Sequence, residues 1–194
     1  MVSMRRILAA AVILLMAGCS GDPGGGMTPS ETPRVSEGSS SFSVTSPDFT
    51  DGGELADWAT ASAFGGQCTG DNLNPALTWD GAPNGTATFA ITVIDESAKD
   101  FVHWVHVNIP ADVQAVARGE GDALPGSDGA TGAGSTGYFG PCPPGPDHHY
   151  VFTVIALDAE LDVRPGVSYA DFAAAAADHI LATATITGLR SGPA

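Results

Sequence analysis

Positive charge is scarce in this chain: its 194 residues carry 7 Lys and Arg against 22 Asp and Glu, a formal net charge of −15. Two of those cations, Arg5 and Arg6, stand at the extreme N-terminus, so the remainder is more acidic still. Such a balance excludes a protein that tracks a nucleic-acid backbone, and equally one that docks electrostatically on anionic lipid. It also keeps a domain soluble, so by itself it identifies no partner. Long apolar runs are lacking too. The longest, residues 7–16, is too short to span ~30 Å of hydrocarbon as a helix. No internal repeat and no GxSxG nucleophile elbow is present, because Ser135 is preceded by Ala133 where the first glycine belongs. Cysteine is limited to three positions, 19, 68 and 142.

What is there begins with an address. Arg5 and Arg6, the apolar run, and the small residues Ala17, Gly18 and Cys19 make residues 1–18 a secretory signal. Met16-Ala17-Gly18-Cys19 resembles the lipobox of bacterial lipoproteins, with Met where Leu is usual. The resemblance implies cleavage before Cys19 and lipidation of its sulfur; an ordinary cleaved signal is the alternative. The expected location is therefore extracytoplasmic, in the bacterial cell envelope, held to the membrane through an acyl anchor alone. Residues 19–41 are dominated by Gly, Pro, Ser and Thr and read as a flexible tether. The folded part is expected over residues 42–194, a length suited to one domain. Cys68 and Cys142 both sit in Gly/Pro-rich segments. In an oxidising compartment they are either a disulfide or two separate thiols, and spacing does not decide between them.

The folded part reads as mostly β. Residues 88–93 alternate Thr88, Ala90, Thr92 with Phe89, Ile91, Val93, and after a short acidic loop residues 103–109 alternate again, the period of two-faced strands. Asp95 and His103 are expected to face each other across that loop. Residues 150–157 form the most strand-like run and are expected to be central. Residues 42–44 read as a short strand, 55–64 as strand or loop, 76–79 as a short strand, and Asn84-Gly85 as a turn. Residues 111–117 are expected to make a helical turn, and 118–137 a long Gly/Asp loop. Ser168 with Asp171 resembles a capping box opening a helix over residues 172–180, and 182–186 returns as a strand.

Gly132, Gly134 and Gly137 spell GxGxxG, but Pro141, Pro143 and Pro144 follow where a phosphate-binding helix would have to start, so the pattern reads as a loop. His103 and His106 spell HxxH; on a strand they do not share a face, which argues against a shared metal ion. One histidine from each segment, with Asp95, makes a set that zinc would accept, yet no spacing demands it, and neither metal nor cofactor is expected. The economical reading puts His103, His148 and Tyr150 around a pocket as donors, with Asp95 orienting one imidazole and His149 pointing away. Both side-chain types can donate to an anion.

These residues are collinear with a known pattern: Ser46-Pro47; Cys68, Gly70, Asn72, Asn74-Pro75, Leu77 and Trp79; the Asp95 loop; His103-Trp104 with Asn108-Ile109-Pro110; Gly137-Tyr138, Gly140-Pro141-Cys142-Pro143-Pro144; and His148 with Tyr150. In that order and spacing the chain from about 42 to 190 resembles the phosphatidylethanolamine-binding protein (PEBP) family, in its bacterial Raf-kinase-inhibitor-like branch of the YbhB/YbcL type. The resemblance implies a PEBP-like β-sandwich of antiparallel sheets with Greek-key elements and a few short peripheral helices, one near the C-terminus. It implies a surface pocket for a small anionic or phosphorylated ligand such as a phosphoethanolamine head group, lined by Asp95, His103, Gly140, Pro141, His148 and Tyr150. A hydrolase using the Asp/His pocket, or a module that inhibits a partner enzyme, are the alternatives, and no feature names a protein partner. The chain leaves the pattern at Asp95-Glu96-Ser97-Ala98-Lys99, where the family's usual loop has a second aspartate and two prolines. Lys99 there adds a cation that can assist an anionic ligand.

Overall fold

The computed structural model describes residues 41–192. The expected signal, Cys19 and the expected tether up to residue 40 lie outside the described residues, as do the last two positions. Eleven strands and one α-helix follow in chain order: β1 Ser43–Thr45, β2 Gly53–Glu54, β3 Ser62–Ala63, β4 Cys68–Thr69, β5 Leu77–Asp80, β6 Thr88–Asp95, β7 Phe101–Pro110, β8 Ala115–Val116, β9 Ser127–Asp128, β10 His148–Leu157, α1 Tyr169–Ala176 and β11 Ile180–Arg190. They form a six-stranded sheet ordered β2-β11-β10-β6-β7-β9, a three-stranded sheet β1-β5-β8, and the pair β3-β4. All neighbours are antiparallel except β2, which runs parallel to β11. The run at 150–157 is central, flanked by β11 and β6.

The period-two reading of β6 explains the layers. Phe89, Ile91 and Val93 point into a core shared with Trp104, Phe152 and Val154 of the same sheet and with Val44, Leu77, Trp79 and Val116 of the three-stranded sheet. Ala90, with Val105, Val107, Ile155 and Leu157, faces the other way, where Phe172 and Ala176 of α1 cover it. The six-stranded sheet is thus buried on both faces, and each large apolar side chain so buried is worth roughly 1.5–3 kcal/mol.

Three local expectations change. Residues 111–117 hold no helix: Val116 is drawn into the core opposite Leu77, and pairing with β5 makes β8 a strand. Burial of a β-branched side chain outweighs the helix propensity of the neighbouring alanines. The helix begins at Tyr169, capped by Ser168, whose Oγ accepts from the Asp171 N–H. It ends at Ala176 rather than running to residue 180, because Ile180 pairs with Leu157 and opens β11. Residues 55–64 are neither one strand nor one loop; they hold a 3-10 turn, Asp57–Ala59, and then β3.

The long glycine-rich segment is ordered by buried polar bonds. Asn74 Oδ1 accepts from Gly121 N–H, and Asp128 accepts from both His106 and Trp104. Cys68 and Cys142 are joined as a disulfide with Cα atoms 5.8 Å apart. It fixes the loop after Phe139 to β4, closing a sequence separation of 74 residues.

Candidate functional site

Three neighbouring strands deliver the polar side chains to one end of the six-stranded sheet. Tyr150 of β10 pairs with Asp95 of β6, and Asp95 pairs with Phe101 of β7. Between Val93–Trp104 and Ile94–Val102 the register slips, so His103 is the extra residue of a bulge. A bulge re-aims a side chain, and here it sets the His103 ring edge-on to Tyr150, 5.0 Å between centroids. The floor of the resulting cavity, about 160 Å³, is Asp95, His103, His148 and Tyr150. Phe101, Phe139, Ala98 and the buried Pro143 form its walls, and the exposed Phe64 and Pro144 its mouth, with Cys142 beside them.

The hydrogen bonds assign each polar atom. Asp95 Oδ2 accepts from His148 Nδ1 at 2.7 Å, and its Oδ1 accepts from the Ser97 N–H at 2.9 Å, capping the 3-10 turn Glu96–Ala98. One carboxylate therefore shapes the loop and fixes an imidazole. His103 Nδ1 lies 2.6 Å from the Phe139 carbonyl, which can only accept, so Nδ1 carries the proton. The Phe139 N–H returns a bond to the His103 carbonyl. Burial lowers the His103 pKa from its ordinary value, against the opposing pull of the Phe139 carbonyl and Asp95. His103 is thus a neutral imidazole near pH 7. Burial, and secondarily Asp95, raises the Tyr150 pKa, so its hydroxyl keeps its proton. That hydroxyl is fully buried, and although Asp95 is close enough to act on it, it has no well-formed hydrogen bond.

The sequence reading brings Asp95, His103, His148 and Tyr150 together, and the structure gathers those four. Asp95 holds His148; it does not bond His103 across the loop. Gly140 and Pro141 do not line the cavity. A Cβ on Gly140 would stand 2.2 Å from the Ala59 carbonyl, the Gly140 N–H donates to Asn72 Oδ1, and the Pro141 carbonyl accepts from Ala61. They pack the loop from beneath, and Asn72 locks it by donating also to the Tyr138 carbonyl. His149 is exposed and its N–H donates to Ser97 Oγ. His106 belongs to a separate buried network with Asp128, Trp104 and the Pro125 carbonyl. Among the described residues no group of three or more His, Cys, Asp or Glu is placed to hold a metal.

Sequence reasoning misses the aromatic walls. Phe101 was within reach, two positions before His103 on a strand, and Phe139 stands beside Gly140. Phe64 carries no periodic signal, because it sits on a turn before Gly65 and Gly66.

Comparison with known proteins agrees with this fold. The family model described as "Phosphatidylethanolamine-binding protein" matches residues 45–191. The UPF0098 protein YbhB of Escherichia coli is 40% identical over 158 residues, covering 76% of this chain and 99% of its own. LppC of Mycobacterium tuberculosis, described as a candidate lipoprotein, is 30% identical over 199 residues, 94% of this chain and 92% of its own. The crystal structure of Escherichia coli YbcL, described as a new member of the mammalian PEBP family, superposes with a TM-score of 0.73 at 36% identity, covering 78% of this chain and 99% of that one. With its sandwich and its sequence in agreement, the chain belongs to the phosphatidylethanolamine-binding protein family, in the branch of YbhB and YbcL.

Proposed function

We propose that the domain captures a small anionic or phosphorylated ligand in the cavity floored by Asp95, His103, His148 and Tyr150. The observation that carries the reading is the Tyr150 hydroxyl, a proton-bearing group buried without a well-formed bond, converging with the His103 and His148 imidazoles on one cavity floor. Buried polar groups normally have partners, and a ligand oxygen would supply this one. His148, with Nδ1 committed to Asp95, turns Nε2 to the same space, where protonation makes it a second donor. His103 offers an unprotonated Nε2 that can accept from a ligand hydroxyl, as a monoprotonated phosphate carries.

Binding is favoured over hydrolysis by the lining itself. It holds no serine or threonine, and its cysteine is bridged, so the Asp95–His148 pair has no serine, threonine or thiol to activate. The tether reading, a lipidated Cys19 presenting the domain at the cell envelope, draws support from the lipobox-like tetrapeptide and from the likeness to LppC. Mass spectrometry of the mature protein tests it, since an unmodified N-terminus downstream of Cys19 refutes the anchor.

The ligand reading is tested by calorimetric titration with inorganic phosphate and with phosphoethanolamine between pH 5.5 and 8. Affinity should weaken as pH rises toward 8, where a phosphate loses the proton that His103 Nε2 would accept. An affinity independent of pH and unchanged in His148→Ala would overturn it.

A further inference from the structure

The Cys68–Cys142 disulfide stands between two cavities. Cys142 lines the one floored by Tyr150, Cys68 lines a second, polar cleft of about 270 Å³ that also holds Arg190, and Pro143 touches both. The bond also joins the two lips of the mouth. One lip is the hairpin β3–β4, only two residue pairs long, whose turn Phe64–Gly66 carries the exposed Phe64. The other is the rim Cys142-Pro143-Pro144. Hydrogen bonds hold the chain on either side of this rim, from the Ala61 N–H to the Pro141 carbonyl and from the Gly192 N–H to the Gly145 carbonyl. Between them the two prolines have no N–H to give, and among the described residues Cys142, Pro143 and Pro144 make no backbone hydrogen bond. The covalent bond is therefore what fixes rim to hairpin. Both lips carry glycines with open space around them, Gly65 and Gly66 on one and Gly145 on the other, so each can move once the bond is cut.

We propose that this disulfide is the substrate of a dithiol reductant, and that its reduction loosens the mouth of the cavity. Exposure decides where the reductant attacks, since Cys142 is half-buried and Cys68 is buried. A thiolate of the reductant bonds to Sγ of Cys142, the Cys68–Cys142 bond breaks, and Cys68 leaves as a thiolate toward the cleft that holds Arg190. The acidic partners of Arg190, Glu54 and Asp57, are themselves exposed, so the guanidinium still favours the charged leaving group. The second thiol of the reductant then attacks the mixed disulfide, frees Cys142 and closes the reductant's own disulfide. Two electrons pass to the protein, and the two thiol protons of the reductant end on Cys68 and Cys142. Freed from each other, hairpin and rim have to be ordered again by whatever enters the cavity, which weakens its binding. In an oxidising compartment the bond re-forms once the reductant is gone.

The test follows reduction of the folded protein by dithiothreitol, read by alkylation and mass spectrometry. Attack on the native state doubles the rate when dithiothreitol is doubled and leaves it nearly unchanged in about 1 M urea, which would speed a route through global unfolding at least ~fivefold. In the reduced protein, amide order parameters at Phe64, Gly65, Gly66, Cys142 and Gly145 should fall below about 0.6 while β6 and β10 keep about 0.85. The Cys68→Ala/Cys142→Ala variant should reproduce this without reductant. Calorimetry with inorganic phosphate at pH 6 should show affinity about three- to tenfold weaker in the reduced protein than in the oxidised one. A rate independent of dithiothreitol, a fivefold rise in urea, order parameters unchanged by reduction, or equal phosphate affinity in the two redox states each overturns the proposal. The phosphate comparison rests on the anionic-ligand reading above: binding in neither state overturns that reading, whereas reduction and loosening are judged without it.

Discussion

Asp95 Oδ2 lies 2.7 Å from Nδ1 of His148, and that contact decides what the histidine offers to the cavity. A carboxylate only accepts, so Nδ1 bears a proton and Nε2 faces the ligand space. In Asp95→Asn this preference is lost, and the turn after Asp95 loses its charged cap. The His148 tautomer is expected to shift toward Nε2–H, read in long-range nitrogen–proton spectra, with a loss of about 1–2 kcal/mol in stability. An unchanged tautomer would show that Asp95 does not orient the ring.

The buried His103 makes stability depend on pH. Its folded pKa lies below the ordinary 6.5, so between the two values the unfolded chain binds more protons than the folded one. Its contribution is complete above about pH 6.5 and is lost as pH falls toward the folded value, at up to ~1.4 kcal/mol per pH unit. Urea unfolding from pH 5 to 8 should show this slope, and the difference profile against His103→Asn isolates it. Identical slopes would remove His103 from the account.

Lys99 closes the turn after Ala98 in a left-handed conformation, exposed and without an ion pair among the described residues. A lone cation one residue beyond the cavity-lining Ala98 steers an anion more than it holds it. Lys99→Gln should lower the association rate for phosphate two- to threefold at low salt, with the difference vanishing near 0.5 M salt. Stopped-flow measurement checks it.

The disulfide ties the cavity rim to β4. Loop-closure entropy over its span corresponds to about 4 kcal/mol, so Cys142→Ser should lower unfolding stability by roughly 3–4 kcal/mol. Urea titration of both proteins without reductant measures it. A difference under 1 kcal/mol would mean the loop is held by Asn72 and its neighbours instead.

Much of this was legible in the residues, for reasons that also mark where legibility ends. The alternation in residues 88–93 and the apolar run at 150–157 gave two strands and their central place, because burial on a sheet imposes period two. The four floor residues stood out as titratable or hydroxyl side chains in a collinear pattern. Gly140 and Pro141 were misplaced because a Gly-Pro pair looks alike whether it meets a ligand or the Ala59–Ala61 backbone. The helical turn expected at 111–117 failed because local propensity does not reveal that Val116 pairs with β5. Phe64 was invisible because an exposed aromatic on a turn leaves no periodic trace.

The central claim is that the hydroxyl of Tyr150, beside Asp95 but without a well-formed hydrogen bond, meets the ligand. Tyr150→Phe removes one oxygen and leaves the ring packing, so calorimetric titration with phosphate at pH 6 isolates that atom. A hydrogen bond to a charged acceptor is worth about 1.5–3 kcal/mol, and the variant should bind roughly ten- to a hundredfold more weakly than wild type at unchanged thermal stability. Equal affinity in the two proteins would contradict the account.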